Sequence, residues 1–204
     1  MSDTQTKGLV TPEAILSYPN LFTPVAVNQG DEPKYSVSLI FTEEAQQTEE
    51  YAALKAAALA VAREKWGDKL PAMLKAGKLR MPFRDDWEEK GYPENSTFIG
   101  ARSKNAPGIV AWNLETITDE KEMYPGAIVR GHISAFAYDV NGNRGVSFGL
   151  DNVQKLRDGE RLDGRIAVKN AFTAAEPPAA LDFDDIDQSE TQGADTTDEL
   201  AGLI

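Results

Sequence analysis

The chain has 204 residues, 41% of them hydrophobic, and a formal net charge of -12, which suits one folded core with at most a small appendage. It contains no cysteine, no apolar run long enough to span a bilayer, and no basic and apolar leader at the N-terminus, so we expect a cytoplasmic protein, neither secreted nor embedded in a membrane. A charge this negative by itself argues against a nucleic-acid partner, because phosphate binding depends on Lys and Arg.

The charge is unevenly distributed along the chain. Residues 174–204 carry nine acids and no base, whereas residues 1–173 hold 24 acids against all 21 bases, a net charge of -3. The last segment also has low hydrophobicity and a Pro pair, so it cannot bury enough surface to offset the entropy of ordering. We therefore expect a folded domain over residues 1–173 and a disordered acidic tail over residues 174–204.

In chain order, the first predicted elements are two strands. The segments LFTPVAV (21–27) and KYSVSLIFT (34–42) are rich in β-branched and aromatic residues and flank the turn-forming NQGDEP, which favours an antiparallel pair. In the second segment, alternate residues from Tyr35 to Phe41 are apolar and share one face. This alternation predicts a strand with one buried side.

Two helices are predicted next. The segment over residues 42–66 begins with a threonine that can cap a helix and continues through Ala, Leu, Lys and Glu. Its Leu54, Ala58 and Val61 recur at helical spacing and form the predicted inward face. A shorter helix is expected around KLPAMLKAG (69–77).

From residue 79 onward, short β-prone segments alternate with turn residues. They are LRMPF (79–83), TFIGARSK (97–104), GIVAWN (108–113), AIVRGHISAFAYDV (127–140) and GVSFGLDNVQKL (145–156). The Asn-Gly pair between the last two is the strongest short-range hairpin signal. Several short strands with one long helix inserted predict a mainly β fold, a small closed or partly closed barrel.

The segment over residues 127–140 has two chemically different faces. Its odd positions are small or apolar and suit the inside of a tight barrel, whereas its even positions include Arg130, His132, Phe136 and Tyr138. Single-stranded nucleic acid needs cations for its phosphates and flat rings for its unstacked bases. The second face is therefore a candidate binding surface.

The segment TFIGARSK repeats this arrangement. Phe98, Arg102 and Lys104 alternate with Gly100 among them, and a glycine lets another backbone approach closely. For Phe98 and Phe136 the sequence leaves an alternative open, namely a second core layer beneath the long helix. Nearby, KAGKLRMPFR (75–84) supplies four bases and no acid.

Catalytic patterns are scarce. With one histidine, no cysteine, no Gly-rich phosphate loop and no Gly-x-Ser-x-Gly elbow, the chain offers little for nucleophilic or metal chemistry. Asp85, Asp86 and Glu88 could in principle hold a metal in a nuclease, but a solvated acidic turn is the simpler interpretation. We expect no enzymatic activity, no cofactor and no metal.

A family resemblance completes the sequence analysis. The runs YPENSTFIGARSKNAPGIV (92–110) and MYPGAIVRGHISAFAYDVNGNRGVSFGLDNVQKLRDGERLDGR (123–165), followed by an acidic tail, resemble phage single-stranded DNA-binding proteins with an OB fold. The resemblance covers most of residues 18–172. It implies a five-stranded Greek-key barrel, single-stranded DNA as the ligand, and a role in phage DNA replication, recombination and repair in the host-cell cytoplasm.

The resemblance also implies a role for the tail, which would compete with DNA and recruit replication or recombination proteins. Tails of this kind commonly end in an aromatic residue, whereas this one ends in ELAGLI and carries its phenylalanine within LDFDDID. The candidate docking residues of this tail are Phe183, Asp184, Asp185 and Asp187. The alternative function is a protein-interaction module with a recruiting tail, and the sequence leaves homodimer formation open. The candidate DNA-binding residues are Lys34, Tyr35, Arg80, Arg84, Phe98, Arg102, Lys104, Trp112, Arg130, Phe136 and Tyr138.

Overall fold

The computed structural model describes residues 8–163 except 27, 29 and 141, all of them within one compact unit of the chain. The strands are β1 (Leu9–Val10), β2 (Ala14–Val25), β3 (Lys34–Phe41), β4 (Thr97–Ser103), β5 (Gly108–Val110), β6 (Ile128–Val140) and β7 (Asn143–Arg157). The helices are α1 (Glu43–Gln46), α2 (Glu49–Trp66), α3 (Leu70–Lys75) and α4 (Trp87–Lys90). Within the described range, no helix is long and apolar enough to cross a membrane. The predicted acidic tail lies outside the described residues.

Five of the strands close into a barrel. β2 pairs with β3, β3 with β4, β6 with β7 and β6 with β2, all antiparallel, and the parallel pairing of β4 with β7 completes the ring. β1 extends the sheet beside β6, and β5 lies beside β7. A five-stranded barrel with this connectivity is an OB fold. The prediction of a mainly β fold with an inserted helix is thus confirmed.

The inside of the barrel is tightly filled. The odd positions of β6, from Val129 to Ala137, are all buried, as their small or apolar side chains predict. A Cβ atom on Gly131 would lie 2.8 Å from Leu39 Cδ1, so the interior leaves no room for a side chain there. On β3 the predicted inward residues Val37, Leu39 and Phe41 are buried. Tyr35, the first residue of the same face, is half-buried.

The predicted helix over residues 42–66 is interrupted. Thr42 caps α1, and after one turn Thr48 caps α2 by accepting a hydrogen bond of 3.3 Å from the amide of Tyr51. A second capping residue thus restarts the helix, because it satisfies free amides at a new N-terminus. The inward face of α2 is as predicted, with Leu54, Ala58 and Val61 buried.

The segment LRMPF (79–83), predicted as a strand, makes only isolated bridges together with the following Arg84. The amide of Arg80 donates to the carbonyl of Arg144 at 3.0 Å, and Arg84 exchanges two backbone hydrogen bonds with Phe98 at 2.9 and 3.0 Å. The segment therefore lies between β4 and β7 on the side where those strands no longer pair. Phe83 packs edge-on against Phe148 in the core, while both arginine side chains remain exposed.

Candidate nucleic-acid interface

The outward side chains of β3 and β4 form a shallow surface. Alternate residues of both strands are buried in the barrel core, so the residues between them point outward. Near the middle of the strands these outward residues are small or basic, with Ser36 opposite Arg102 and Ser38 opposite Gly100. We call these four residues the β3–β4 face. They belong to the second and third strands of the barrel, the surface on which OB folds hold oligomeric ligands.

The floor of the β3–β4 face is open. No atom lies within 4 Å of the position that a Cβ atom on Gly100 would occupy. Asn20 on β2 donates a 3.0 Å hydrogen bond to the hydroxyl of Ser36, which orders the neighbouring edge. A flat ligand can therefore approach the strands closely at Gly100.

Basic residues from β3, β4 and the turn after β4 lie at one end of this floor. Arg102 is exposed and, among the described residues, forms no ion pair with an acid. Lys34 and Arg102 line a cavity of about 200 Å³ that also includes Glu32. Lys104 binds Glu32 at 2.6 Å, and this hydrogen bond holds the pKa of Glu32 below its usual value. One lysine of this group is therefore already neutralised by an acid.

Two more arginines reach the surface from the segment between β4 and β7. Arg84 pairs with Asp86 at 2.7 Å, and its guanidinium lies 4.8 Å from the centre of the Phe98 ring. The hydrogen bond from Arg84 lowers the pKa of Asp86. Arg80 is exposed and has no acidic partner among the residues that the structure describes. Cations thus flank the β3–β4 face on its β4 side.

The other end of the same surface is covered by aromatic side chains. Ile40 and Phe98, opposite each other on β3 and β4, are buried beneath Tyr92 and Trp87. The Tyr92 ring meets Phe98 edge-on at 5.1 Å, and its hydroxyl shares a 3.0 Å hydrogen bond with Ser17. We call Trp87 and Tyr92 the aromatic cover.

The prediction that Phe98 offers its ring to DNA is therefore wrong for this structure. Phe98 points outward from the barrel as its strand position predicts, but it is only 3% exposed because the aromatic cover lies over it. Phe98 does not lie beneath the long helix either. The apolar cluster that contains it is completed by Ile40, Tyr92, Ile15 and Trp87, none of which belongs to α2.

Sequence reasoning missed Tyr18. Its side chain is 64% exposed and its φ of 45° lies in the left-handed region. It sits on β2 where the pairing with β3 is interrupted between Ser17 and Asn20. The Tyr-Pro-Asn sequence at this point is the signal that could have marked it, because proline removes a ladder donor and favours a bulge.

The predicted rings on β6 lie beside the face and not on it. Tyr138 stands over Gly145, where a Cβ atom would be 2.6 Å from both the Tyr138 hydroxyl and the Arg80 carbonyl oxygen, so Tyr138 neighbours Arg80. Phe136 lies opposite Ser147 of β7, two strands and about 10 Å from β4. Both rings are half-buried.

The structure places three predicted residues elsewhere. Tyr35 is half-buried on the core side of β3. Arg130 lines a cavity of about 410 Å³ together with Arg157 and residues of α1. Trp112 is 73% exposed on the loop after β5. Val110 at the end of β5 pairs with Gln154 of β7, whereas Arg102 pairs with Gly149. Those two positions on β7 are five residues, or about 17 Å, apart. These three are not brought to the β3–β4 face.

Metal-binding groups are not assembled in the described part of the chain. No three His, Asp or Glu residues there lie close enough together to hold an ion, and Asp86 of the acidic turn is bound by Arg84. His132 lies 3.6 Å from the carboxylate of Asp151 on the outside of the barrel. The predicted docking residues of the tail lie outside the described residues.

Solved structures resemble the barrel closely. The single-stranded DNA-binding protein of bacteriophage Enc34 in complex with ssDNA matches with a TM-score of 0.63 at 21% identity, over 75% of this chain and 88% of that one. The single-stranded DNA-binding protein gp2.5 of bacteriophage T7 matches with a TM-score of 0.58 at 12% identity, over 79% and 98%. At such identities the likeness concerns the fold.

Sequence comparisons identify the family. Protein p50 of Acyrthosiphon pisum secondary endosymbiont phage 1 is 28% identical over 184 residues, which are 87% of this chain and 92% of that protein. The family model described as "Enterobacter phage Enc34, ssDNA-binding protein" matches residues 7–183. The predicted kinship with phage single-stranded DNA-binding proteins is thereby confirmed, and the chain belongs to the Enc34 ssDNA-binding protein family.

Proposed function

We propose that the chain binds single-stranded DNA on the β3–β4 face, with little dependence on base sequence. The observation that carries the proposal is the open floor at Gly100 with Arg102 on the same face, an exposed arginine that forms no ion pair among the described residues. Arg80, also exposed, lies on the segment between β4 and β7. Cations along such a floor can follow the sugar-phosphate backbone, and every base has a flat surface for stacking. Membership in a family of phage ssDNA-binding proteins supports the same function.

The charges on this surface predict a moderate salt dependence. Each cation that contacts a phosphate on single-stranded DNA contributes about -0.7 to the slope of log affinity against log salt. Arg80 and Arg102 alone would give about -1.4, and all five flanking cations together about -3.5. The five are Lys34, Arg80, Arg84, Arg102 and Lys104. We expect an intermediate slope, because Glu32 and Asp86 each occupy one of the cations.

The decisive experiment is a titration with a fluorescently labelled oligo(dT). Anisotropy is measured at several salt concentrations, with and without EDTA, and a duplex of equal length serves as the control. We expect tight binding to the single strand, weaker binding to the duplex, no effect of EDTA and an intact oligonucleotide afterwards. Failure to bind the single strand would leave the protein-interaction module as the better function, and EDTA-sensitive cleavage would indicate a nuclease.

We further propose that residues 174–204 compete with DNA and recruit proteins of phage replication, recombination and repair. The nine acids and absent bases of this segment support electrostatic competition. A flexible chain of this length reaches about 30 Å, whereas a folded domain over residues 1–173 has a radius of gyration of about 16 Å. The length of the segment is thus compatible with competition between the tail and DNA.

Truncation after residue 173 tests the tail. The shortened protein should melt as the full chain does and bind oligo(dT) more tightly, with a gain that shrinks as salt screens the attraction between tail and barrel. It should also lose partner proteins, which would dock at Phe183, Asp184, Asp185 and Asp187. Unchanged affinity at low salt, in a truncation that melts normally, would rule out competition.

A further inference from the structure

Tyr18 combines two features that stability alone does not explain. Its backbone adopts a left-handed φ of 45°, which is unfavourable for a bulky residue and is found where the surrounding structure enforces it. Its ring is nevertheless 64% exposed, so the strained position contributes little to the core. Strained and exposed side chains of this kind concentrate at binding sites.

The position of Tyr18 on β2 is defined by the cross-strand rows on either side of it, that is, by residues that lie opposite one another on β2, β3 and β4. Ser17 lies opposite Ser38, in the row of Gly100, and Asn20 lies opposite Ser36, in the row of Arg102. The bulge that contains Tyr18 falls between these rows. Tyr18 therefore stands at the β2 edge of the β3–β4 face, across from the gap between Gly100 and Arg102.

Both ends of the bulge are held by side-chain hydrogen bonds. Ser17 shares a 3.0 Å hydrogen bond with Tyr92 of the aromatic cover, and Asn20 donates one of 3.0 Å to Ser36. Because Tyr18 is 64% exposed, its ring lies outside the barrel core, next in sequence to the Ser17 that is bound to the aromatic cover. The ring is thus presented on a fixed support.

We propose that Tyr18 is the principal base-stacking ring of the β3–β4 face and that the bulge in β2 serves to present it. This inference rests on the proposed binding of single-stranded DNA. Stacking requires an accessible ring beside cations that hold the backbone. Phe98 and Tyr92 are buried, and the other strongly exposed described ring, Trp112, lies on the loop after β5, away from the face.

The test uses three substitutions at one position. Tyr18→Ala should weaken oligo(dT) binding about 5- to 150-fold, whereas Tyr18→Phe should keep most of the affinity because it keeps the ring. Tyr18→Gly should weaken binding as much as Tyr18→Ala while melting no lower than the wild type, because glycine accepts a positive φ. In all three, the salt slope should be unchanged, since stacking involves no counterion release.

Leu114 offers a matched control. It is 71% exposed with a φ of 68°, so Leu114→Gly relieves the same kind of strain on the β5 side of the barrel. It should raise the melting temperature and leave DNA affinity unchanged. Wild-type affinity in a folded Tyr18→Gly variant would overturn the role of Tyr18 and leave the proposed function intact, whereas a wild-type protein that binds no oligo(dT) would refute the function itself.

Discussion

The two ends of the outward surface of β3 and β4 follow the same strand alternation but differ in exposure to solvent. At one end Ile40 and Phe98 lie opposite each other and are buried beneath the aromatic cover. At the other end Ser38 faces Gly100 and the floor is open. Strand alternation decides which way a side chain points, but a segment distant in sequence decides whether it meets water.

The difference also separates stability from binding. The covered end has its own small apolar cluster, so its side chains contribute to the free energy of folding by leaving water. The open end buries little and keeps Arg102, which forms no ion pair within the described part of the chain, so its side chains are free to contact a ligand. Substitutions at the covered end should therefore lower the melting temperature, whereas substitutions at the open end should lower the affinity for DNA.

The largest effect is expected from Phe98→Ala at the covered end. Removing a buried ring costs about 3–5 kcal/mol of the free energy of unfolding, which for a domain of this size lowers the melting temperature by roughly 6–20 °C. Below the transition, the affinity for oligo(dT) should match the wild type. A normal melt, or a folded variant that has lost DNA binding, would place Phe98 in the interface and contradict the comparison.

The double substitution Arg80→Gln and Arg102→Gln removes two exposed arginines, one beside β7 and one at the open end, and should act on binding alone. Two lost phosphate contacts flatten the salt slope by about 1.4, which corresponds to roughly 60-fold weaker binding at 50 mM salt if affinity is unchanged at 1 M. The pair Arg63→Gln and Lys69→Gln removes the same charge from exposed positions at the end of α2 and controls for net charge. Equal losses from both pairs would mean that total charge, and not the face, governs affinity.

Part of this division could be predicted from the sequence. The buried face of β6, the hairpin after Val140 and the inward side of α2 follow from local periodicity and turn chemistry, and all are observed. On the other face of β6 only Arg130 is exposed up to Tyr138, and Ser134 is buried. The aromatic cover depends on residues 87–92 folding back over a strand that comes later in the chain, which no local pattern reveals. The sequence also does not predict that β2 extends through Pro19, because the bulge that accommodates the proline is defined by the pairing with β3.

A smaller effect on binding is expected from Gly100→Val. The backbone there does not require glycine and the space above it is empty, so the variant should fold normally. A branched side chain on the floor should keep a base or sugar away from the strands, with a loss comparable to that of one stack, about 1–3 kcal/mol. Thr116→Val, at an exposed bridge position beside β5, is the control. If Gly100→Val binds normally, the ligand does not cross the middle of the face.

The smallest effect should come from Glu32→Gln, and it should be a gain. Glu32 occupies Lys104 at 2.6 Å, and because the hydrogen bond from Lys104 lowers the pKa of this carboxyl, it stays ionised at neutral pH. Neutralising it frees Lys104 for a phosphate, so binding should strengthen at low salt and the salt slope should steepen by up to about 0.7.

A pH titration sharpens this prediction. In the wild type, acid should release Lys104 only below the usual titration range of a glutamate, because the pKa of Glu32 is lowered. Affinity for oligo(dT) should therefore stay level as the pH falls to the ordinary glutamate pKa of 4.5 and rise only below it, whereas Glu32→Gln should lack the rise attributable to this carboxyl. Glu115→Gln, an exposed acid beside β5, should leave both the salt slope and the pH profile as in the wild type. A Glu32→Gln variant that binds no better at low salt would mean that Lys104 does not contact the DNA and that the interface ends at Arg102.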